Sequence, residues 1–245
     1  MSIIIHSVRN IRTSCPASLR RTVVAISSLV LLVATAAAGP DDKAPASGSS
    51  GTKVLFDGKS LEGWKKCDFH KAGDVNVEDG MIIMSKGVSM SGITSTRQDL
   101  PTTNYELSYE AMRLAGRDFF AAATFPVGKS YITLVNGGWG GGVTGLSSLD
   151  GMDASENETT RSFRYQDKTW YRFRVRVTNK MIRCLIDGKE IIAVAHRDRR
   201  VATRIETRRN QPLGFATWES TRALRHIEIR PLTAAEITET DKFEE

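Results

Sequence analysis

Apolar and polar residues alternate along much of this chain with a period of two. The segment 105–112 (YELSYEAM) carries Tyr, Leu, Tyr and Ala at its odd positions and Glu, Ser, Glu and Met at the even ones. The segment 171–178 (YRFRVRVT) alternates large apolar residues with arginines in the same way. A period of two predicts β-strands with one buried face and one solvated face.

Further short apolar segments are separated by turn residues. Met181–Ile186 and Glu190–Val194 flank Asp187-Gly188, a dipeptide that favours the type I′ turn of a hairpin. We also predict strands at Asp74–Val77, Met81–Met84, Gly92–Ser95, Phe119–Phe125, Tyr131–Val135, Pro212–Trp218 and Leu224–Arg230. Without an amphipathic helix longer than two turns, this pattern predicts an all-β sandwich of two antiparallel sheets. Periodicity alone does not choose between jelly-roll and immunoglobulin topology.

The first 38 residues have the pattern of a signal peptide. Four arginines and no acid precede or flank the apolar run 22–33, and small residues follow at 34–38. The run is short for a bilayer span, so we expect cleavage near Ala38 and a periplasmic or secreted protein without a stable membrane span. An uncleaved anchor is the alternative. We then expect a flexible linker at 39–51, one domain at 52–232, and an acidic tail at 233–245 that frays or forms a short helix.

The net charge limits the classes of partner that we expect, and the cysteine content raises the question of a disulfide. The whole chain has 34 basic and 28 acidic residues, and without the four leader arginines 30 and 28 remain, a net charge of +2. A nearly neutral domain exerts little long-range attraction on nucleic acid, so we do not expect that partner. Cys67 and Cys184 remain after cleavage. The sequence leaves open whether they form a disulfide or two buried thiols, and the oligomeric state is equally open.

The opening of the predicted domain, Leu55–Trp64 (LFDGKSLEGW), resembles that of the bacterial 3-keto-disaccharide hydrolase domain family. The resemblance extends over about 180 residues and is carried by further segments at Asp79-Gly80, Asn104–Met112, Trp170–Val177, Ile186–Glu190, Pro212–Phe215 and Leu224–Ile229. It implies a concanavalin-like (laminin-G-like) jelly roll. It also implies cleavage of sugars oxidised at C3, where the ketone acidifies the neighbouring C–H and a general base drives elimination.

This chain departs from the family pattern at two places. In many members a Glu-x-Gln strand and a Gln-Asp-His-Gly segment line the concave face. Here the corresponding positions are Ser130–Val135 (SYITLV) and Phe215–Glu219 (FATWE). The chain therefore resembles a divergent branch of the family.

The first candidate site is the glycine-rich segment 136–142 (NGGWGGG) around Trp139. An exposed indole suits the apolar face of a sugar, and we consider Trp139 a substrate-binding residue together with Trp218. In the alternative, Trp139 fills the core where a glycine-rich segment crosses the sheet edge.

The second candidate is the acidic loop, residues 147–159, which places several oxygen ligands close together. We consider Asp150, Asp153 and Glu156 candidate catalytic residues and candidate ligands of a divalent cation such as Ca²⁺. Asn157 and the nearby Arg164 are candidate substrate-binding residues. In the alternative, the segment is a solvated loop that contains a chance Asn-Glu-Thr sequon.

The third candidate is the solvated face of the arginine-rich strand, the segment 171–178. Arg172, Arg174 and Arg176 either form ion pairs with Glu106 and Glu110, or join His226 and Glu228 in a groove that binds sugar hydroxyls. We include His226 among the candidate substrate-binding residues.

Two functions follow from these observations. The first is an exported glycoside hydrolase or lyase that acts on 3-keto-glycosides or related saccharides. The second is a non-catalytic, lectin-like sandwich that binds glycan in the cell envelope. Either way, the expected partner is a saccharide, and fold alone does not decide between them.

Overall fold

The computed structural model describes residues 51–242. The predicted signal peptide and the predicted linker up to residue 50 lie outside the described residues, as do positions 243–245. Within 51–242, no helix has the length and apolar character needed to cross a membrane. The strands of this part form two antiparallel sheets, which confirms the predicted sandwich.

The first sheet contains eight strands with β6 and β15 at its centre. Its order is β13 (Lys189–Ala195), β12 (Met181–Ile186), β11 (Trp170–Val177), β6 (Tyr105–Ala115), β15 (Thr221–Pro231), β4 (Met81–Met84) and β3 (Val75–Glu78), with β1 (Lys53–Val54) pairing β15. Every strand pair is antiparallel.

The second sheet contains seven strands and carries the site described below. Its order is β10 (Arg161–Ser162), β9 (Val143–Ser147), β8 (Ser130–Gly138), β7 (Ala122–Val127), β14 (Gly214–Trp218), β5 (Met90–Ser95) and β2 (Trp64–Lys66). A 3-10 helix (Glu206–Asn210) precedes β14, and helix α1 (Ala234–Thr240) follows the last strand.

The core lies between the sheets and is filled by alternate residues of each strand. On β6, Tyr105, Leu107 and Tyr109 are all buried, as the period of two predicts. The Tyr109 ring stacks on Phe173 of the same sheet at 5.0 Å and meets Phe215 of the other sheet edge-on at 4.9 Å. Aromatic contacts therefore join the two layers at the centre of the sandwich.

The opening segment 55–64 packs onto this core. Leu55 and Trp64 are buried, and the indole Nε1–H of Trp64 donates to the carbonyl of Leu55 at 2.7 Å. Between them, the carboxylate of Asp57 accepts from the backbone amides of Lys59 and Ser60. These two hydrogen bonds close a tight turn that begins at Asp57.

Two local predictions can be compared directly with the structure. Asp187 and Gly188 both have positive φ, 49° and 83°, as a type I′ turn between β12 and β13 requires. The predicted strand 119–125 begins later, at Ala122, because the amide of Phe119 donates to the Asp118 carboxylate and not to a neighbouring strand.

Both cysteines are free and buried, so Cys67 and Cys184 are two separate thiols. Cys184 points into the core from β12, whereas the Cys67 thiol donates to the carbonyl of Arg209 at 3.1 Å. Burial raises the pKa of the Cys67 thiol to about 12, so it stays protonated at neutral pH.

The outer face of the first sheet is held by a buried carboxylate. Glu106 on β6 lies opposite Arg176 on β11 and Arg230 on β15, which it contacts at 2.6 and 3.0 Å, and Arg174 is 3.9 Å away. The ion-pair interpretation of the arginine-rich strand is therefore the one that the structure supports.

Helix α1 is fastened to this face through Glu236. Thr233 and Glu236 form a capping box, and both carboxylate oxygens of Glu236 accept from Arg230, at 2.7 and 2.9 Å. These hydrogen bonds from Arg230 lower the pKa of Glu236 to about 2. Of the two alternatives for the tail, the described part forms a short helix.

We expect Glu106→Gln to destabilise the sandwich by about 2 kcal/mol, because three arginines would lose a buried counter-charge. Urea unfolding measures this change. Glu78→Gln, an exposed glutamate on β3, is the control and should behave like the wild type. Equal stability of the two variants would show that Glu106 does not hold this face.

We expect the stability of α1 to depend on pH through Glu236. Because the pKa of Glu236 is about 2 in the folded protein and ordinarily 4.5, its stabilisation is complete above about pH 5 and is lost as the pH falls towards 2. Amide hydrogen exchange of residues 237–240, corrected for intrinsic rates, measures this loss.

Glu236→Gln should accelerate exchange at pH 6 about fivefold and remove the loss of protection on acidification. Glu239→Gln removes a carboxylate of the same helix that pairs only with the exposed Lys242, and it should leave the exchange nearly unchanged. If both variants exchanged alike, Glu236 would not anchor the helix.

Candidate functional site

A pocket of about 220 Å³ lies on the face of the second sheet that points away from the core. On β7 and β8, Ala123 and Leu134 face the core while their neighbours Ala122, Thr133 and Val135 line the pocket. The period of two that fills the sandwich thus also supplies the pocket floor. We call this cavity the aromatic pocket.

Three aromatic side chains form its wall. Trp218 lies at the end of β14, and its ring centroid is 6.3 Å from that of Phe119. Trp139 lies in the glycine loop, residues 139–142, between β8 and β9 and is 46% exposed. The structure therefore brings together the two predicted sugar-binding tryptophans, and Trp139 does not fill the core.

The glycine loop owes its shape to positive backbone φ angles and to Asp118. Gly140 and Gly141 have φ of 79° and 108°, which side chains rarely tolerate. The Asp118 carboxylate accepts from the amides of Phe119 at 2.7 Å and of Gly140 at 2.9 Å. Asp118 thereby holds Trp139 at the pocket rim.

The opposite rim is charged. Both carboxylate oxygens of Glu206 accept from Arg204, at 3.1 and 3.2 Å, and a further nitrogen of Arg204 pairs with Asp153. These hydrogen bonds hold the pKa of Glu206 below its ordinary value and raise that of Arg204. Both groups are therefore charged at neutral pH, and Glu206 is a poor proton donor.

The structure separates the three predicted catalytic carboxylates. Asp150 accepts from the amide of Arg200 and from the side chain of Arg199, contacts that lower its pKa. Asp153 reaches the aromatic pocket through Arg204 and Ser147, whereas Glu156 accepts from the backbone amide of Asp153. Of the three, only Asp153 contacts residues that line the pocket.

The expected shared cation site is not assembled in the described part of the chain. No group of three or more His, Cys, Asp or Glu side chains in residues 51–242 is placed to hold a metal ion. The reason is visible in the acidic loop, where Asp150 and Asp153 each face a different arginine.

Asn157 is a structural residue of the acidic loop. Its side chain is buried, and its amide nitrogen is within hydrogen-bond distance of the carbonyls of Leu146, Met152 and Asp153. Its amide oxygen accepts from Thr159. This corrects the prediction that Asn157 binds substrate, because its polar atoms already have partners within the protein.

His226 lies far from the aromatic pocket, on the outer face of the opposite sheet. Its imidazole is 3.3 Å from Glu110 and is 60% exposed. The pairing of β15 with β6 shifts register between Arg225 and Glu228, and His226 has a φ of 51°. Glu110 also lies opposite Arg172 of β11, so His226 shares this outer face with the arginine-rich strand.

Arg164 lies on the other side of the glycine loop from Trp139. It lines a second cavity of about 410 Å³ with Arg113 and Arg117. The predicted site residues are thus divided among the aromatic pocket (Trp139 and Trp218), this second cavity, the acidic loop and the opposite sheet.

The pocket residues that were not predicted from the sequence include three charged residues and one aromatic residue: Asp118, Arg204, Glu206 and Phe119. Arg204 and Glu206 come from the crossing segment between β13 and β14, where no periodicity marks them. Asp118 and Phe119 precede a strand, and the charged residue directly before two phenylalanines was the available signal.

Solved structures share the fold at low sequence identity. One of the endo-acting O-glycanases by which human gut microbiota initiate mucin breakdown is 14% identical, with 74% of this chain and 100% of that chain covered and a TM-score of 0.51. The Crh5 transglycosylase in complex with NAG is 12% identical, with 76% and 85% covered and a TM-score of 0.51. The carbohydrate-binding module CBM66 from Bacillus subtilis is 9% identical, with 69% and 95% covered and a TM-score of 0.48.

The two similarities with a TM-score of 0.51 show the fold, a jelly roll. No curated protein matches the chain. The family model described as the 3-keto-alpha-glucoside-1,2-lyase-like domain matches residues 51–230, which include almost every strand of both sheets. The resemblance found in the sequence is confirmed, and the chain belongs to this family.

Proposed function

We propose that the aromatic pocket binds a saccharide and that the protein acts on 3-keto-glycosides outside the cytoplasm. The observation that carries this proposal is the aromatic wall, in which the exposed Trp139 shares a cavity with Trp218 and Phe119. The apolar face of a sugar ring packs on such side chains. The charged rim offers Asp118, Arg204 and Glu206 to the ring hydroxyls.

The size of the pocket fits a short ligand. Its volume of about 220 Å³ is below the roughly 300–1,000 Å³ of drug-sized sites, and one sugar ring suits it better than an extended chain. Membership of the lyase-like family supports a ring oxidised at C3 as the ligand.

Cleavage of a 3-keto-glycoside by elimination needs a base next to the acidified C–H. In the aromatic pocket the candidate bases are the carboxylates of Asp118 and Glu206. Asp153, predicted as catalytic, would act here as a positioning residue, because it contacts Arg204 and not the cavity itself.

The second candidate function is saccharide binding without turnover. It is favoured by the state of Glu206, whose oxygens are both taken by Arg204 and whose pKa is lowered, which makes it a weak base. None of the residues that line the aromatic pocket is a histidine.

We expect Trp139→Ala and Trp218→Ala each to weaken the binding of a methyl 3-keto-glucoside about tenfold, because each removes a stacking surface worth about 1 kcal/mol or more. Isothermal titration calorimetry measures the affinity. Trp170→Ala removes an indole on the opposite sheet and is the matched control. Undiminished binding by both pocket variants would contradict the assignment of this site.

We expect the wild-type protein to release 4-nitrophenol from 4-nitrophenyl 3-keto-glucosides of either anomeric configuration. Asp118→Asn should reduce the rate at least a hundredfold if Asp118 is the base, since general-base catalysis contributes about that much. Absorbance measures release, with and without added divalent cation. Saturable binding of the same compounds with no release under any condition would eliminate the enzyme and leave the binding module.

A further inference from the structure

We propose that the second cavity, beside the glycine loop, binds the anionic group of an acidic saccharide, a carboxylate or a sulfate ester. This inference rests on the proposed function, since it adds an anion subsite next to the aromatic pocket. We call the cavity the arginine cavity.

Three arginines and one carboxylate face this space of about 410 Å³. Arg113, Arg117 and Arg164 supply three positive charges against the single negative charge of Asp167. Asp167 is bonded to Arg113 Nε at 2.5 Å, so the charge that remains belongs to the other two arginines. Neither Arg117 nor Arg164 has an ion pair with any acid in residues 51–242.

Arg113 lies at the floor of the cavity and is incompletely satisfied. Its side chain is about nine-tenths buried, and its Nη2 donates to the carbonyl of Tyr165 at 3.0 Å. Its Nη1 is buried and has no hydrogen-bond partner. A buried, charged donor without an acceptor is costly, and a nearby oxyanion would offset its charge.

Nη1 faces the glycine loop. A Cβ built on Gly141 would lie 3.6 Å from this nitrogen and 2.7 Å from the carbonyl of Arg117. Gly141 has a φ of 108°, so glycine is required at this position by both backbone conformation and space. The absence of a side chain keeps the loop close to the arginines and keeps the cavity open.

The arginine cavity and the aromatic pocket share a wall one residue thick. Trp139 lines the aromatic pocket, and the next residue, Gly140, lines the arginine cavity. The same division occurs at Asp118 and Arg117, which line the aromatic pocket and the arginine cavity respectively. Successive Cα atoms are about 3.8 Å apart, so one saccharide stacked on Trp139 can place a substituent at Arg117.

The exposed guanidiniums of Arg117 and Arg164 are suited to this contact. Guanidinium groups donate paired hydrogen bonds to carboxylates and to sulfate-type oxyanions. The two residues come from different segments, so the anion is recognised only when the segment between β6 and β7 and the segment after β10 are both in place.

The test compares three methyl glycosides, each oxidised at C3 like the proposed ligand: the glucoside, its 6-sulfate and the glucuronide. We expect the wild-type protein to bind at least one charged glycoside about tenfold more tightly than the neutral one, the effect of one or two charge-assisted hydrogen bonds. This preference should decline with added NaCl, whereas the affinity for the neutral glucoside should not. Whether the sulfate or the carboxylate is preferred identifies the source of the anion.

The double variant Arg117→Gln/Arg164→Gln should lose the preference and retain neutral binding within about twofold, since it leaves the aromatic wall intact. Arg172→Gln, which removes an exposed arginine from the opposite sheet, is the matched control and should retain the preference. Equal affinity of the wild type for all three glycosides would overturn the inference, as would an equal loss in the control.

A titration with inorganic sulfate separates this inference from the proposed function. In one outcome no glycoside binds, and sulfate perturbs the arginine Nε–H resonances of the wild type and of Arg172→Gln but not those of the double variant. This outcome would support the anion site and contradict the saccharide pocket. In the other outcome the neutral glucoside binds, and the binding of sulfate and of the charged glycosides does not depend on Arg117 and Arg164. This outcome would contradict the anion site and leave the proposed saccharide pocket intact.

Discussion

The alternation of side chains across the second sheet is the constraint on which both the core and the aromatic pocket depend. On β14, Phe215 packs against Tyr109 of the opposite sheet, while its neighbours Ala216 and Trp218 lie on the outer face. Because the side-chain period of a strand is two, a slip of one residue would turn Trp218 towards the core. The packing of the interior therefore fixes the register that builds the aromatic wall.

Arginines then fix the loops around that wall. Arg199 joins Asp150 to Glu158 within the acidic loop, and Arg204 joins Asp153 of that loop to Glu206 on the pocket rim. Each pair is partly exposed, so each contributes little alone. An arginine shared by two carboxylates nevertheless restricts two segments at once, and here it gives the pocket a rim of fixed charge. Asp150 and Asp153, two of the three carboxylates that suggested a cation site from the sequence, have this role in the structure.

The fold was predictable because its signals are local. The period of two on β6 and β11, and the Asp187-Gly188 turn, are determined by neighbouring residues. The site was predictable only in part, because Asp153 and Arg204 meet across 51 positions of sequence. Trp139 and Trp218 were predicted because an indole suggests sugar stacking by itself, and the structure places both at one pocket. His226 lies beside the arginine-rich strand on the outer face of the other sheet, and no local pattern shows that this face is remote from the aromatic pocket.

The floor and the charged rim of the aromatic pocket come from different parts of the chain. This division explains how the chain can differ from other family members that share the same sandwich. Its floor is made largely by strand residues such as Met90, Ala122 and Val135, which are small or apolar and offer no acid, base or amide. Its charged groups come from connecting segments, with Asp118 before β7 and Arg204 before the 3-10 helix. Loops can change such groups without disturbing the core. Selection for a different saccharide would therefore act on the rim and the glycine loop, which is where the two cavities meet.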